Sequence, residues 1–101
     1  MKLDIRRTIR NKPKPVQAII KIRATKLLIE QDLDVITDKE REAAMTKALK
    51  WWDNMYKILQ KGYPSVSEKE VAEAAMQQMA KRPESKTTVE ILKKFGDFTI
   101  K

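Results

Sequence analysis

The chain has 101 residues, of which 42% are hydrophobic and 36% charged, and its formal net charge at pH 7 is +8. This length is typical of one compact domain, and two glycines and four prolines leave little room for long flexible linkers. The chain contains no cysteine and no histidine, which excludes disulfides, thiolate and imidazole zinc sites, and the Ser–His and Cys–His pairs of many hydrolases.

The excess positive charge is confined to the first quarter of the sequence. Residues 27–101 contain thirteen basic and thirteen acidic residues and therefore have no net charge. Residues 1–26 contain a single acid, Asp4, and nine basic residues: Lys2, Arg6, Arg7, Arg10, Lys12, Lys14, Lys21, Arg23 and Lys26. A charge that is segregated in this way creates a local potential that attracts polyanions.

The first third of the chain allows more than one interpretation. Apolar and polar side chains alternate in part over residues 2–10, as in a strand, and two prolines follow closely. We therefore treat residues 1–15 as a basic N-terminal arm, with a short extended or β segment as an option. A helix is favoured from Val16 to Gln31, covered by other elements from two sides, and a basic β-hairpin is the alternative.

A helix is predicted over residues 38–61. Thr37 and Glu40 have the spacing of a capping box, in which each side chain accepts a hydrogen bond from a backbone N–H of the other residue. Gly62 follows the last apolar residues and is placed to end the helix in a left-handed conformation.

Two adjacent tryptophans lie on this helix, whose apolar face covers about half of the circumference. Trp52 lies near the centre of that face and is predicted to be in the core. Trp51 lies at the edge and is predicted to be partly buried, with a displayed stacking surface as the alternative. A face of this width fits two intrachain neighbours or a homodimer.

Two more helices are predicted in the C-terminal part. The first spans residues 68–81, where Ser67 and Glu70 repeat the capping box and Pro83 prevents continuation. The second spans residues 86–95 and ends before a glycine; its apolar residues are Val89, Ile91, Leu92 and Phe95. The predicted fold class is mainly α, a small domain of three or four helices that occupies residues 16–101.

The last two predicted helices resemble a helix-turn-helix followed by the start of a wing. The residues that carry the resemblance are Val71 and Ala72 in the first helix and, in the second, Ser85, Lys86, Thr87, Thr88, Val89, Ile91 and Leu92. In that family the second helix enters the major groove, which implies base or phosphate contacts for Lys86, Thr87 and Thr88. The connection is longer than the usual motif and lacks a turn glycine, and ordinary helix packing is the alternative.

The sequence offers little that could support catalysis or metal binding. Asp32 and Asp34 resemble the start of a calcium loop, but Ala43 stands where such a loop needs a bidentate glutamate. No glycine-rich phosphate loop is present. We expect no catalytic residue, no metal and no cofactor, and therefore no enzyme.

The N-terminus lacks the apolar run of a signal peptide, and no stretch approaches the roughly 18 consecutive apolar residues of a membrane span. A cytoplasmic protein with no membrane partner is expected.

The leading functional hypothesis is a small, non-enzymatic nucleic-acid-binding or regulatory protein, with DNA as the favoured target. The nine cations of residues 1–26 and the residues Lys86, Thr87 and Thr88 are the predicted contacts, and the helices are the scaffold. The alternative is a protein–protein interaction module, such as an inhibitor or a small subunit of a larger assembly, whose basic arm binds an acidic protein surface.

Overall fold

The computed structural model describes residues 5–81, which form four helices and contain no strand. The helices are α1 (Ile5–Arg10), α2 (Lys14–Glu30), α3 (Asp38–Gly62) and α4 (Glu68–Lys81). The mainly α fold class predicted from the sequence is thereby confirmed. The predicted helix over residues 86–95 lies outside the described residues, as do four of the predicted contacts: Lys2, Lys86, Thr87 and Thr88.

Residues 5–10 form a helix, not the extended segment that the sequence left as an option. Ile5 and Ile9 are one turn apart and both are buried in the core. Helical spacing brings these two side chains together and leaves Arg7, which interrupts a strand pattern, on the exposed side. A helix of this length is marginal in isolation, so its packing against α2 and α3 stabilises it.

α2 is the central helix of the described part, and it contacts α1, α3 and α4. Pro15 fits the first turn, where its missing N–H leaves no helical hydrogen bond unmade. Buried side chains occur around most of the circumference: Val16, Ile19, Ile20, Ile22, Ala24, Thr25 and Leu28. The helix covered from two sides is therefore observed, and the β-hairpin alternative is not adopted.

α3 begins at the predicted capping box. The Thr37 hydroxyl oxygen accepts a hydrogen bond from the Glu40 N–H (3.2 Å), and the Glu40 carboxylate accepts one from the Thr37 N–H (3.1 Å). At the other end, Gly62 is the last helical residue and does not terminate the helix in a left-handed conformation. The helix ends instead at Tyr63, where φ is −136° and ψ is 74°.

The two adjacent tryptophans of α3 differ in burial in the predicted way. Trp52 is fully buried, whereas Trp51 lies at the edge of the buried face and is 36% exposed. The buried face of α3 packs against α2 and α1 and comprises Ala44, Met45, Ala48, Leu49 and Trp52. Because intrachain neighbours cover this face, its width does not require a homodimer, and dimerisation stays a prediction.

α4 follows the second capping residue. The Ser67 hydroxyl oxygen accepts a hydrogen bond from the Glu70 N–H at 3.2 Å. Ala72 is fully buried where α4 packs against α2. An alanine at this position allows the two helix backbones to approach closely.

Candidate nucleic-acid interface

Arg6 and Arg10 are two exposed cations of α1. They are one turn apart, so they share a side of the helix, and that side is exposed while Ile5 and Ile9 face the core. Neither side chain forms an ion pair with another described residue. Two guanidinium groups at this spacing can each bind a phosphate through parallel N–H donors.

A third exposed cation, Lys14, lies at the start of α2, next to the end of α1. The two helices are joined at this corner by Gln17, whose side-chain amide donates to the carbonyl oxygens of Arg10 (3.2 Å) and Lys12 (2.8 Å). The junction is therefore held in a defined geometry. Lys14 also forms no ion pair within the described part. We call Arg6, Arg10 and Lys14 the basic corner.

Lys12, another predicted phosphate contact, is held by two carboxylates of the protein itself. Its ammonium nitrogen lies 3.1 Å from Glu68 Oε1 and 3.3 Å from Asp53 Oδ1. The same Glu68 oxygen accepts a hydrogen bond from the Trp52 indole N–H at 2.7 Å. This cluster connects the α1–α2 turn to the middle of α3 and the start of α4.

The carboxylates shift the pKa of Lys12. Partial burial alone would lower the pKa of this ammonium, but the hydrogen bond to Glu68 and the charges of Asp53 and Glu68 outweigh burial. The pKa of Lys12 is therefore raised above its usual value of 10.5. The group stays charged near neutral pH, and its charge is compensated within the protein.

The remaining cations of α2 point in different directions. At 100° per residue, Lys14 and Lys21 lie on one side of the helix, whereas Arg23 and Lys26 lie roughly opposite. Lys21, Arg23 and Lys26 are all half-buried. The structure therefore does not bring the described cations of residues 5–26 together on one continuous surface.

Arg23 is engaged by the tryptophan at the edge of α3. Its guanidinium carbon lies 5.3 Å from the centroid of the Trp51 ring, which is within the range of a cation–π contact. Its Nε atom is buried without a hydrogen-bond partner among the described residues. This contact explains why Trp51 is only partly exposed, and it makes Arg23 a packing residue in this structure.

α3 carries a second basic surface, although residues 27–101 as a whole have no net charge. Five exposed lysines lie within about 80° of its circumference, an arc that contains no acid. We call them the α3 lysine row: Lys39, Lys47, Lys50, Lys57 and Lys61. The acids that cancel their charge in the total for residues 27–101 lie on other sides of α3 or on other segments. Summing charge over the angular positions of the predicted helix, instead of along the chain, would have detected the row.

Over residues 5–81, no three carboxylates, histidines or cysteines are grouped so that they could hold a metal ion. None of the four helices is long and apolar enough to cross a membrane.

The chain matches no protein-family model, no curated protein and no solved structure at a significant level.

Proposed function

We propose that the protein is a non-enzymatic nucleic-acid-binding protein that contacts phosphates through the basic corner. The observation that carries the proposal is the exposure of Arg6 and Arg10 on α1 and of Lys14 at the start of α2, in a segment with a strong excess of positive charge. Residues 5–30 contain eight cations and a single acid, Glu30. DNA is the first target to test.

The mechanism is phosphate neutralisation with release of counterions. Each phosphate contact on duplex DNA contributes about −0.9 to the slope of log binding constant against log salt concentration. Three contacts at the basic corner correspond to a slope of roughly −2.7. Lys12 is not among the proposed contacts, because Asp53 and Glu68 already compensate its charge; its role is to hold the corner against α3 and α4.

The proposal is tested by a pair of charge-matched triple variants. We expect Arg6→Gln/Arg10→Gln/Lys14→Gln to weaken DNA binding by roughly tenfold or more and to reduce the magnitude of the salt slope by about 2.7. The control is Lys39→Gln/Lys57→Gln/Lys61→Gln, which removes the same charge from exposed positions of the α3 lysine row. Fluorescence anisotropy with labelled duplex DNA, single-stranded DNA and RNA, at several salt concentrations, measures both quantities.

Three outcomes contradict the proposal. If no nucleic acid binds at low salt, the protein does not have this function, and an acidic protein surface becomes the ligand to test. If both triple variants lose affinity equally, binding depends on total charge and not on the basic corner. A larger loss in the control would assign the contact to the α3 lysine row.

A further inference from the structure

Trp51 is the tryptophan of α3 that the core does not enclose. Its side chain is 36% exposed, whereas the neighbouring Trp52 is fully buried. A large aromatic side chain that is exposed to this extent offers a flat apolar surface to a ligand.

Arg23 determines which part of the Trp51 ring is exposed. It belongs to α2, which packs against the buried face of α3, and its guanidinium carbon lies 5.3 Å from the centroid of the ring. A guanidinium group over an aromatic ring covers one of the two ring faces. The exposed part of the ring therefore lies on the side away from α2, and the contact with Arg23 restricts the rotation of the ring.

The surface of α3 around Trp51 is basic and polar. At 100° per residue, Lys47 and Asn54 lie within about 60° of Trp51, and both are exposed. Lys50, also exposed, lies one turn from Lys47. On this side of α3 the acid closest to Trp51 is Glu40, about three turns away. An exposed aromatic ring beside lysines, with no acid of its own helix close by, is the combination that single-stranded nucleic acids bind.

We propose that Trp51 stacks on a base of a single-stranded nucleic acid, while Lys47 and Lys50 bind phosphates of the same strand. Stacking on an aromatic side chain needs an unstacked base, which the interior of a duplex does not present. The site therefore selects single strands, of DNA or of RNA. The inference rests on the proposed binding of nucleic acid, but its residues are separate from the basic corner.

Two strands that differ only in their bases test the stacking in the full chain. The probes are an oligothymidylate of about eight nucleotides and an abasic strand of the same length, which carries the same phosphates. We expect the thymidine strand to quench the tryptophan emission and the abasic strand to leave it unchanged, because Trp52 is buried and only Trp51 is open to contact. Oligouridylate extends the comparison to RNA. Equal quenching by the thymidine and abasic strands, or no quenching by the thymidine strand, would overturn the proposal.

Two substitutions of Trp51 separate stacking from apolar packing. We expect Trp51→Leu to weaken binding of the thymidine strand roughly fivefold or more and to leave binding of the abasic strand unchanged. Trp51→Phe keeps an aromatic ring and should retain most of the affinity. Circular dichroism establishes that each variant is folded, and the quenching experiment on the original protein decides if one is not. Equal losses in Trp51→Leu and Trp51→Phe would contradict stacking.

The phosphate contacts are tested by a pair of charge-matched double variants. We expect Lys47→Gln/Lys50→Gln to weaken binding of the thymidine strand and of the abasic strand alike, because both strands carry the phosphates. The control is Lys39→Gln/Lys61→Gln, which removes the same charge from exposed positions of α3 at more distant turns. An equal loss in the two double variants would remove Lys47 and Lys50 from the site.

The triple variant of the basic corner distinguishes this inference from the proposed function. Arg6→Gln/Arg10→Gln/Lys14→Gln leaves the surroundings of Trp51 on α3 unchanged, so quenching by the thymidine strand at saturation should persist. If quenching persists and the triple variant binds duplex DNA as tightly as the original protein, only the basic corner is contradicted. If duplex DNA and single strands bind without quenching, only the Trp51 site is contradicted.

Discussion

At the scale of single residues, Glu68 links the start of α4 to Trp52 on α3 and to Lys12 in the α1–α2 turn. The Trp52 ring is fully buried, and its N–H needs an acceptor, because an unsatisfied buried donor is costly. Glu68, the first residue of α4, supplies that acceptor and also binds Lys12. The ring of Tyr56 stacks beside Trp52 at a centroid distance of 6.3 Å. The hydrogen bond from Trp52 to Glu68 therefore connects α3 to the start of α4, and the ring packing lies within α3.

We predict that Glu68→Ala lowers the free energy of unfolding by about 1–3 kcal/mol, because it leaves the Trp52 N–H without its acceptor. Glu68→Gln keeps an acceptor oxygen and should cost less than Glu68→Ala. Glu73→Ala, an exposed acid on the same helix, serves as the charge control. Urea denaturation followed by circular dichroism measures all three variants. An equal effect of Glu68→Ala and Glu73→Ala would show that the acceptor role is unimportant.

Lys12 and Lys14 illustrate what a sequence cannot distinguish at this scale. Both are lysines of one short proline-containing turn, and composition gives them the same expected role. The structure gives Lys12 two carboxylate partners, from residues 41 and 56 positions away, and leaves Lys14 exposed. Partners so distant in the chain are selected by the packing of α3 and α4, which local patterns do not specify.

At the scale of the helices, the N-terminal cap of α3 should respond to pH. The hydrogen bonds from the Thr37 hydroxyl and from the Thr37 backbone N–H lower the pKa of Glu40 below its usual value of 4.5. A carboxylate whose pKa is lower in the folded state stabilises that state above the unfolded pKa. This stabilisation is lost as the pH falls through the folded value.

We therefore predict that Glu40→Gln is less stable than the original protein at pH 7 and that the difference disappears at pH values below the folded pKa of Glu40. Glu42→Gln removes the same charge from an exposed position of α3 outside the cap and is the control. Thermal unfolding followed at intervals from pH 7 to pH 2.5 provides the comparison. If Glu40→Gln remained less stable than the original protein by the same amount at the lowest pH, the capping role of the carboxylate would be contradicted.

The helices also show which sequence signals were informative. Capping residues and apolar periodicity predicted α3 and α4 closely, because both signals are local. α1 was harder to predict, since six residues hold less than two turns of pattern, and Ile5 and Ile9 would share a face in a strand as well as in a helix. The α3 lysine row was missed for another reason: a net charge summed along the chain cancels charges that a helix separates by direction.

At the scale of the whole molecule, α2 is the element on which the other three helices pack. Ile20 on α2 and Ile58 on α3 have the same side chain in opposite environments, since Ile20 is fully buried and Ile58 is 71% exposed. We predict that Ile20→Ala lowers the free energy of unfolding by about 2–5 kcal/mol through lost burial and cavity formation.

Ile58→Ala should lower the free energy of unfolding by well under about 1 kcal/mol, because substitutions of exposed side chains usually have small effects. Denaturant unfolding of both variants measures the contrast. If the two variants lost similar amounts of unfolding free energy, the central position of α2 in the core would be contradicted.

The sequence by itself determined the helical class, the bounds of the two best-capped helices and the excess of positive charge near the N-terminus. These properties depend on residue type and on spacings of a few residues, which local interactions fix. Only the tertiary structure decided which cations remain exposed, because packing between distant segments gives some of them partners. Lys12 forms ion pairs with Asp53 and Glu68. Arg23 forms a cation–π contact with Trp51. A charge attracts phosphate only where the fold leaves it in solvent without a closer partner, and that condition belongs to the folded surface.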